Sequence, residues 1–156
     1  MDFEELYLQV ILDHSRRPRN FGELPGADVD IQADNPMCGD EIALHLKFGA
    51  GDRIEAATFT GSGCSICMAS ASMMTQKLKK KSRAEVEELM QKFLEMLTAA
   101  QEPDADKRLG DLELLKGVRK FPLRVKCATL AWHALQEALD KPREKGAELS
   151  IEDEKA

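Results

Sequence analysis

Residues 35–48 read NPMCGDEIALHLKF, and this stretch decides the fold. Its second half alternates apolar and polar residues, which is the pattern of a β-strand with one buried face. A thiol, a glycine and a carboxylate come just before that strand, at Cys38, Gly39 and Asp40. Because glycine gives the backbone the freedom to turn tightly, the sequence predicts that Cys38 and Asp40 lie close together at the edge of a sheet.

Short alternating segments on both sides of this strand complete the sheet. Residues 27–34 read ADVDIQAD, and residues 53–60, RIEAATFT, follow the turn signal GAGD at 49–52. Consecutive strands with short connections favour an antiparallel meander that packs one face and exposes the other. We therefore predict a three-stranded antiparallel sheet.

The rest of the chain has helical periodicity. The first helix is predicted to follow an Asp2 cap and to end before the loop at Arg16–Pro25. A second helix is predicted over residues 64–81, and a third after a Ser82/Glu85 capping box. One short turn is predicted at Leu112–Lys116, and a last helix from Pro122 onward. Together these elements predict one α+β domain at residues 1–141, with the small antiparallel sheet packed against the helices. Residues 142–156 are rich in charge and poor in apolar residues, so we predict a disordered tail.

Composition excludes several classes of function. A chain of 156 residues makes about one domain, which we expect to be a monomer. The net charge of −6 and the small number of aromatic residues argue against nucleic-acid binding, which needs basic surface. No apolar run approaches the length of a membrane span, and the acidic N-terminus lacks a basic signal-peptide region, so we expect a cytoplasmic protein.

Four cysteines stand out in such a protein: Cys38, Cys64, Cys67 and Cys127. In a reducing cytosol they indicate metal binding or thiol chemistry more often than disulfides, although free cysteines are also used as small core residues. Cys64 follows Gly-Ser-Gly at a predicted helix start, where the helix dipole and free N–H groups favour a thiolate.

Cys127 lies near the start of the last helix, after Arg124 and Lys126. These two cations would also favour a thiolate if they pointed toward it, but their offsets from Cys127 differ in direction on a helix. They either steady the thiolate or face solvent.

Cys38, Asp40, Cys64 and Cys127 all lie at or near the ends of predicted elements, which can converge at one edge of a small sheet. Three thiolates and a carboxylate suit tetrahedral zinc, and a [2Fe–2S] cluster would accept a similar set. The spacing alone is only moderately specific. Cys67 could be a ligand, a resolving thiol or a core residue.

Two other kinds of site are less favoured by the pattern. A thioredoxin-like redox role for the C-x-x-C at Cys64 is weak, because the motif follows a meander rather than a βαβ entry strand. His14, His45 and His133 are interpreted as surface or packing residues rather than metal ligands.

Three motifs together resemble one known family. NPMCGDEI, TGSGCSICMASASMMT and FPLRVKCATLAWHAL occur in order within residues 1–141, and they resemble the U-type iron–sulfur cluster assembly proteins, the IscU/NifU-N-like family. Two features are similar to its SufU branch. Lys126 stands where IscU-like proteins carry a histidine before the third cysteine, and Asp104–Phe121 forms an extra segment between the second and third cysteines.

The resemblance implies a zinc site of Cys38, Asp40, Cys64 and Cys127. It also implies a pyridoxal-phosphate cysteine desulfurase as partner, whose persulfide sulfur this protein accepts after a histidine of the desulfurase replaces one cysteine on the zinc. Cys38 is our candidate acceptor, because a residue on a turn moves more easily than one at a helix start. The protein would then be a sulfurtransferase-type partner and not a stand-alone enzyme.

Two alternatives remain open. The same cysteines, Cys38, Cys64 and Cys127, could hold iron or a transient [2Fe–2S] cluster as a scaffold within the iron–sulfur assembly machinery. A purely structural zinc domain is the other alternative. Cys67 departs from the family, in which serine is expected at this position, so it is either an idle thiol or a residue that alters metal preference.

Overall fold

The computed structural model describes residues 2–140 and 145–150. Its helices and strands, in chain order within each class, are α1 (Phe3–Arg16), α2 (Ser65–Leu78), α3 (Arg83–Thr98), α4 (Pro122–Asp140), β1 (Val29–Asn35), β2 (Asp40–Phe48), β3 (Ile54–Ser62) and β4 (Lys145–Ser150). Two 3-10 segments, Ala50–Asp52 and Lys107–Val118, connect them. The predicted α+β architecture is confirmed.

The antiparallel meander of β1, β2 and β3 is confirmed, with β2 in the middle. Asn35 at the end of β1 pairs with Asp40 at the start of β2, so four residues form the connecting turn. At the same end of the strands, Glu41 of β2 pairs with Ser62 at the end of β3. The register therefore places the β1–β2 turn beside the start of α2, which follows β3 directly.

A fourth strand corrects the prediction for the tail. Lys145–Ser150 forms β4, which pairs in parallel with β1 at the edge of the sheet. The sequence pattern behind it is the alternation of Ala147 and Leu149 with more polar neighbours, which the high charge of the tail obscured. An open strand edge offers unpaired backbone groups, and β4 pairs with those of β1. The rest of the predicted tail lies outside the described residues.

The helices α2 and α4 cover the packed face of the sheet. Strand residues such as Leu44 and Phe59 are fully buried beneath them. Trp132 of α4 stacks on Phe93 of α3 with ring centroids 4.4 Å apart, and its Nε1 donates a hydrogen bond of 3.0 Å to Ser70 Oγ of α2. This indole therefore ties three helices together, and it fixes α2 and α4 relative to each other.

The first helix begins as predicted, with Asp2 Oδ1 accepting the N–H of Glu5 at 2.8 Å. The spacing of apolar residues predicts one apolar face for α1, formed by Phe3, Leu6, Tyr7, Val10 and Ile11. This face is only partly buried, because Phe3 and Leu6 remain 43% and 40% exposed. Ile11 of the predicted face is buried, and so is His14. Its residues thus leave apolar surface near the N-terminus of the helix.

Two other predictions concern local structure. The Ser82/Glu85 capping box is confirmed at the start of α3. The short turn predicted at Leu112–Lys116 belongs to a longer 3-10 segment, Lys107–Val118, which is interrupted at Gly110, where φ is +54°. Within the described part of the chain, no helix has both the length and the apolar character that crossing a membrane requires.

His14 generates a prediction about stability and pH. It is buried, its Nδ1 lies 2.7 Å from Ser72 Oγ, and burial, followed by the charge of Arg19, lowers its pKa. Because the folded state disfavours the proton, this residue's contribution to stability is complete above the ordinary histidine pKa of about 6.5 and is lost as the pH falls below it.

In the metal-free protein, His14→Asn should therefore reduce the difference in the free energy of unfolding between about pH 7.5 and about pH 5.5. The asparagine keeps an amide within reach of Ser72 but does not titrate. Urea denaturation at both pH values measures this. An equal pH dependence in the variant and the wild type would contradict the assignment.

Candidate metal centre

Three of the four predicted ligands meet at the end of the sheet where β1 turns into β2. One ligand atom each from Cys38, Asp40 and Cys127 lies within 4.8 Å of the others. Cys38 is exposed, whereas Asp40 and Cys127 are buried. The group therefore has one thiol open to solvent and two donors beneath it, and we call these three residues the ligand group.

The β1–β2 turn positions two members of the ligand group. The N–H of Cys38 donates to the carbonyl of Asn35 at 3.1 Å, which closes the turn. Gly39 follows with φ of +71°, a left-handed conformation that residues with a Cβ rarely adopt. The chain can then pass from the exposed Cys38 to the buried Asp40 within three residues.

Asp40 is fully buried, and its two oxygens differ. Oδ1 accepts the backbone N–H of Cys64 at 2.8 Å, whereas Oδ2 has no hydrogen-bond partner among the described residues. A buried carboxylate oxygen without a partner is costly unless a proton or a cation compensates it. With two thiols beside it, this oxygen completes a sulfur-rich set with one hard donor, which fits zinc.

A glycine makes room for this carboxylate. A Cβ at Gly63 would lie 2.7 Å from Asp40 Oδ1 and 3.2 Å from its Cβ, closer than atoms normally approach. The Gly-Ser-Gly before Cys64 is thus explained partly by the packing of Asp40. Sequence reasoning interpreted it only as the approach to a helix.

Cys64, the fourth predicted ligand, lies beside the ligand group but is not part of it. It is the N-cap of α2, and its Sγ accepts the N–H of Cys67 at 3.4 Å. Its backbone holds Asp40, and its thiol interacts with that of Cys127. Cys64 is therefore next to the group, with its sulfur engaged at the helix end.

The protonation of Cys127 differs from what its neighbours in sequence suggested. Burial, followed by interactions with Asp40 and Cys38, raises the pKa of its thiol far above the ordinary value. Arg124 is exposed and Lys126 is half-buried, and the groups that act on Cys127 are acidic ones and thiols. Without a cation Cys127 is thus a neutral thiol, and a bound divalent metal would reverse this by taking the thiolate as ligand.

Cys67 lies behind the centre. It is 1% exposed and packs in the hydrophobic core, and burial strongly raises the pKa of its thiol. It lies outside the ligand group. Of the three interpretations that the sequence left open, this position fits a core residue whose backbone N–H donates to the N-cap Cys64 Sγ.

His14 and His45 are packing residues in the structure, and His133 is half-buried on α4. His14 bonds Ser72 inside the molecule, and the nearly buried His45 lies 2.6 Å from Asp30 Oδ1 on the sheet. Neither belongs to the ligand group.

Sequence reasoning missed one residue of the centre, Asn35. It is 1% exposed, and its Nδ2 lies 3.9 Å from Cys127 Sγ. The available signal was its position: an asparagine that closes β1 must face the residue that opens β2, which is Asp40.

Comparison with known proteins adds to this geometry. Residues 6–128 match the model of the NifU-like N-terminal domain family. The chain belongs to this family. That membership confirms the resemblance to the U-type proteins drawn from the three cysteine motifs.

Two curated relatives are equally similar to this member of the NifU-like family. One, from Streptococcus pyogenes serotype M1, is named iron–sulfur cluster assembly scaffold protein IscU; it is 48% identical, covering 87% of this chain and 84% of that protein. The other, from Bacillus subtilis strain 168, is named zinc-dependent sulfurtransferase SufU; it is also 48% identical, covering 90% of this chain and 93% of the relative.

A solved structure of similar fold comes from Fervidobacterium islandicum AW-1 and is described as an iron–sulfur cluster assembly scaffold protein assigned to the SUF system. Its TM-score is 0.78 at 31% identity, covering 87% of this chain and 98% of that one. The two curated names differ at equal identity, so similarity alone does not choose between them.

The space around Asp40 gives a direct test of the centre. Gly63→Ala should weaken zinc binding by about 10- to 100-fold, because the new methyl group displaces a carboxylate that orients or supplies a ligand. The matched control is Gly49→Ala, where the added Cβ would meet Glu55 at an ordinary 3.5 Å. Competition with a chromophoric chelator measures the zinc affinity, and equal affinities for both variants would contradict a ligand role for Asp40.

The position of Cys67 gives a second test. Cys67→Ser should retain one zinc per chain while losing roughly 1–3 kcal/mol of stability, because a hydroxyl replaces a thiol in the core. Elemental analysis and thermal unfolding separate these two effects. Loss of bound zinc from a folded variant would show that Cys67 belongs to the ligand set.

Proposed function

We propose that this protein is an iron–sulfur cluster assembly protein that accepts persulfide sulfur from a cysteine desulfurase, in a zinc-dependent manner, on Cys38. One observation carries the proposal: the ligand group combines an exposed thiol with a buried thiol and a buried carboxylate. The exposed member can meet a partner protein while the buried members stay in place. The name of the Bacillus subtilis relative, zinc-dependent sulfurtransferase, supports the same function.

The surroundings of the three thiols support Cys38 as the acceptor. Cys64 Sγ is held by a backbone N–H, and Cys127 Sγ lies near the amide of Asn35. Cys38 is exposed, and among the described residues its side chain interacts with the thiol of Cys127. Removing Cys38 from the ligand set therefore moves an exposed side chain, whereas removing Cys127 would disturb a buried one.

Asp40 and Cys127 would remain on the metal. Both are buried on regular elements, and Asp40 is also tied to the start of α2 through Cys64. Bound zinc would supply a positive charge that keeps the cysteines deprotonated and shielded from oxidation. A histidine of the desulfurase would take the position that Cys38 leaves.

The transfer itself needs no additional oxidant or reductant. The free Cys38 thiolate attacks the outer sulfur of the desulfurase persulfide, forming a new S–S bond on Cys38. The S–S bond inside the desulfurase persulfide breaks, and its electron pair remains on the desulfurase cysteine as a thiolate. The proton of the persulfide, where present, travels with the transferred sulfur.

Exposed apolar side chains beside the centre support docking of a protein partner. Met37 precedes Cys38 on the turn, Phe121 directly precedes α4, and Leu123 lies in its first turn; they are 57%, 57% and 55% exposed. Large apolar side chains that remain in solvent near a reactive group are typical of interaction surfaces. We propose that the desulfurase covers this surface when Cys38 leaves the metal.

A second candidate function is a scaffold that builds a transient [2Fe–2S] cluster and passes it on. The equal identity to the Streptococcus pyogenes scaffold protein favours it, and thiolates also suit a cluster as cargo. Lys126, in place of the histidine expected before Cys127 in IscU-like proteins, favours the first function.

Desulfurase turnover distinguishes the two functions. With zinc-loaded wild-type protein, the release of sulfide by a partner desulfurase in the presence of a thiol reductant should rise well above the basal rate. Cys38→Ser should return it to the basal rate, because serine can neither bind zinc strongly nor carry a persulfide. Cys67→Ser is the matched control and should keep the stimulation.

Mass spectrometry of the protein after one turnover should locate an added sulfur on Cys38. If the wild-type protein instead acquires iron and transfers a cluster to an apo-acceptor without changing turnover, the sulfur-acceptor function is wrong and the scaffold function stands. Stimulation that persists in Cys38→Ser would identify another acceptor.

A further inference from the structure

Asn35 is connected to every member of the ligand group. Its carbonyl accepts the N–H of Cys38, its backbone pairs with Asp40 across the hairpin, and its Nδ2 lies 3.9 Å from Cys127 Sγ. It is also 1% exposed, so its side chain contacts the protein interior rather than water. The amide is therefore built into the centre from the strand side.

The polarity of the contact with Cys127 suits a thiolate. As a thiol, Cys127 directs its own proton to the carbonyl of Leu123, 3.6 Å away, and receives the amide of Asn35 from another side. A thiolate ligand has no proton for the carbonyl of Leu123, so only an N–H donor can hydrogen-bond to it. The N–H of Asn35 remains, and a hydrogen bond to a charged sulfur is stronger than one to a neutral thiol.

The oxygen of the Asn35 side chain indicates that an asparagine at this position does more than stabilise the fold. Asn35 Oδ1 is buried without a hydrogen-bond partner among the described residues, as is Asp40 Oδ2. An unsatisfied buried polar atom is destabilising, and an apolar side chain of similar size would avoid it. A strand residue that keeps such an atom has a role that the metal-free fold does not reveal.

We propose that Asn35 is a positioning residue that donates a hydrogen bond to the Cys127 thiolate and holds it on the metal while Cys38 leaves. This inference rests on the proposed metal centre of Cys38, Asp40, Cys64 and Cys127. It extends the function by assigning a hydrogen-bond donor to each of the two thiols, Cys64 and Cys127, that would stay when Cys38 leaves. The N–H of Cys67 serves Cys64, and the amide of Asn35 serves Cys127.

The test compares Asn35→Leu with Gln32→Leu. Leucine has the same branched arrangement of heavy atoms as asparagine but no donor, and Gln32 is an exposed amide on the same strand β1, outside the ligand group. Each protein is purified without metal and titrated with Zn²⁺ in competition with a chelator, and its unfolding in urea is measured in the metal-free state. Each is also loaded with Co²⁺, whose thiolate-to-metal charge-transfer band reports the energy of the sulfur electrons.

For Asn35→Leu we expect zinc affinity to fall by about 10- to 100-fold, as for other changes to residues that support metal ligands. Its metal-free stability should be unchanged or higher, because the unpaired Oδ1 is gone. The cobalt charge-transfer band should move to longer wavelength, since the thiolate loses a hydrogen bond that lowers its electron energy. Gln32→Leu should match the wild type in affinity and spectrum.

Zinc affinity within twofold of wild type and an unshifted band in Asn35→Leu would overturn the role of Asn35 while leaving the proposed function intact. A loss of zinc affinity that merely follows a loss of metal-free stability would also overturn it, because a structural role would suffice. If the wild-type protein binds neither metal, both the centre and this inference are wrong.

Discussion

The organisation of this molecule around its candidate site depends on one hydrogen bond, from the N–H of Cys64 to Asp40 Oδ1. It joins the beginning of β2 to the beginning of α2, two elements separated by the whole of β3. The bond leaves the second oxygen of a fully buried carboxylate without a partner. The fold thus holds a polar atom that its own groups do not satisfy, at the place where two thiols converge.

The close packing of this contact limits what the sequence can tolerate around it. Gly63 has no room for a side chain, and Gly61, with φ of +133°, would place a Cβ 2.0 Å from the carbonyl of Glu41. The Gly-Ser-Gly motif therefore serves the carboxylate and the strand pairing as much as the helix start. The same residues that allow β3 to approach β2 also place Cys64 beside the ligand group.

Much of this arrangement could be predicted from the sequence, because the signals are local. Alternation predicts β1 to β3, and capping residues predict the starts of α1 and α3. The burial predicted for the apolar face of α1 was partly wrong, because the pattern of apolar residues does not say which neighbour a helix will contact. The strand β4 was missed because its pairing with β1 depends on a partner more than 100 residues earlier in the chain, and its composition is dominated by charge.

The limits of prediction at the site are of the same kind. The four proposed ligands could be selected by residue type, but not the asymmetry among them, which comes from tertiary burial. Arg124 and Lys126 are near Cys127 in sequence, yet it is burial and the distant residues Asp40 and Cys38 that raise the pKa of its thiol. Family membership does not settle the function in detail either, because two relatives with different names are equally similar to this chain. Family membership indicates which residues are the candidate ligands, whereas the difference in exposure among their sulfurs comes from the fold of this chain. In this chain, the exposed sulfur is the one on the β1–β2 turn, which is why Cys38 is the proposed acceptor.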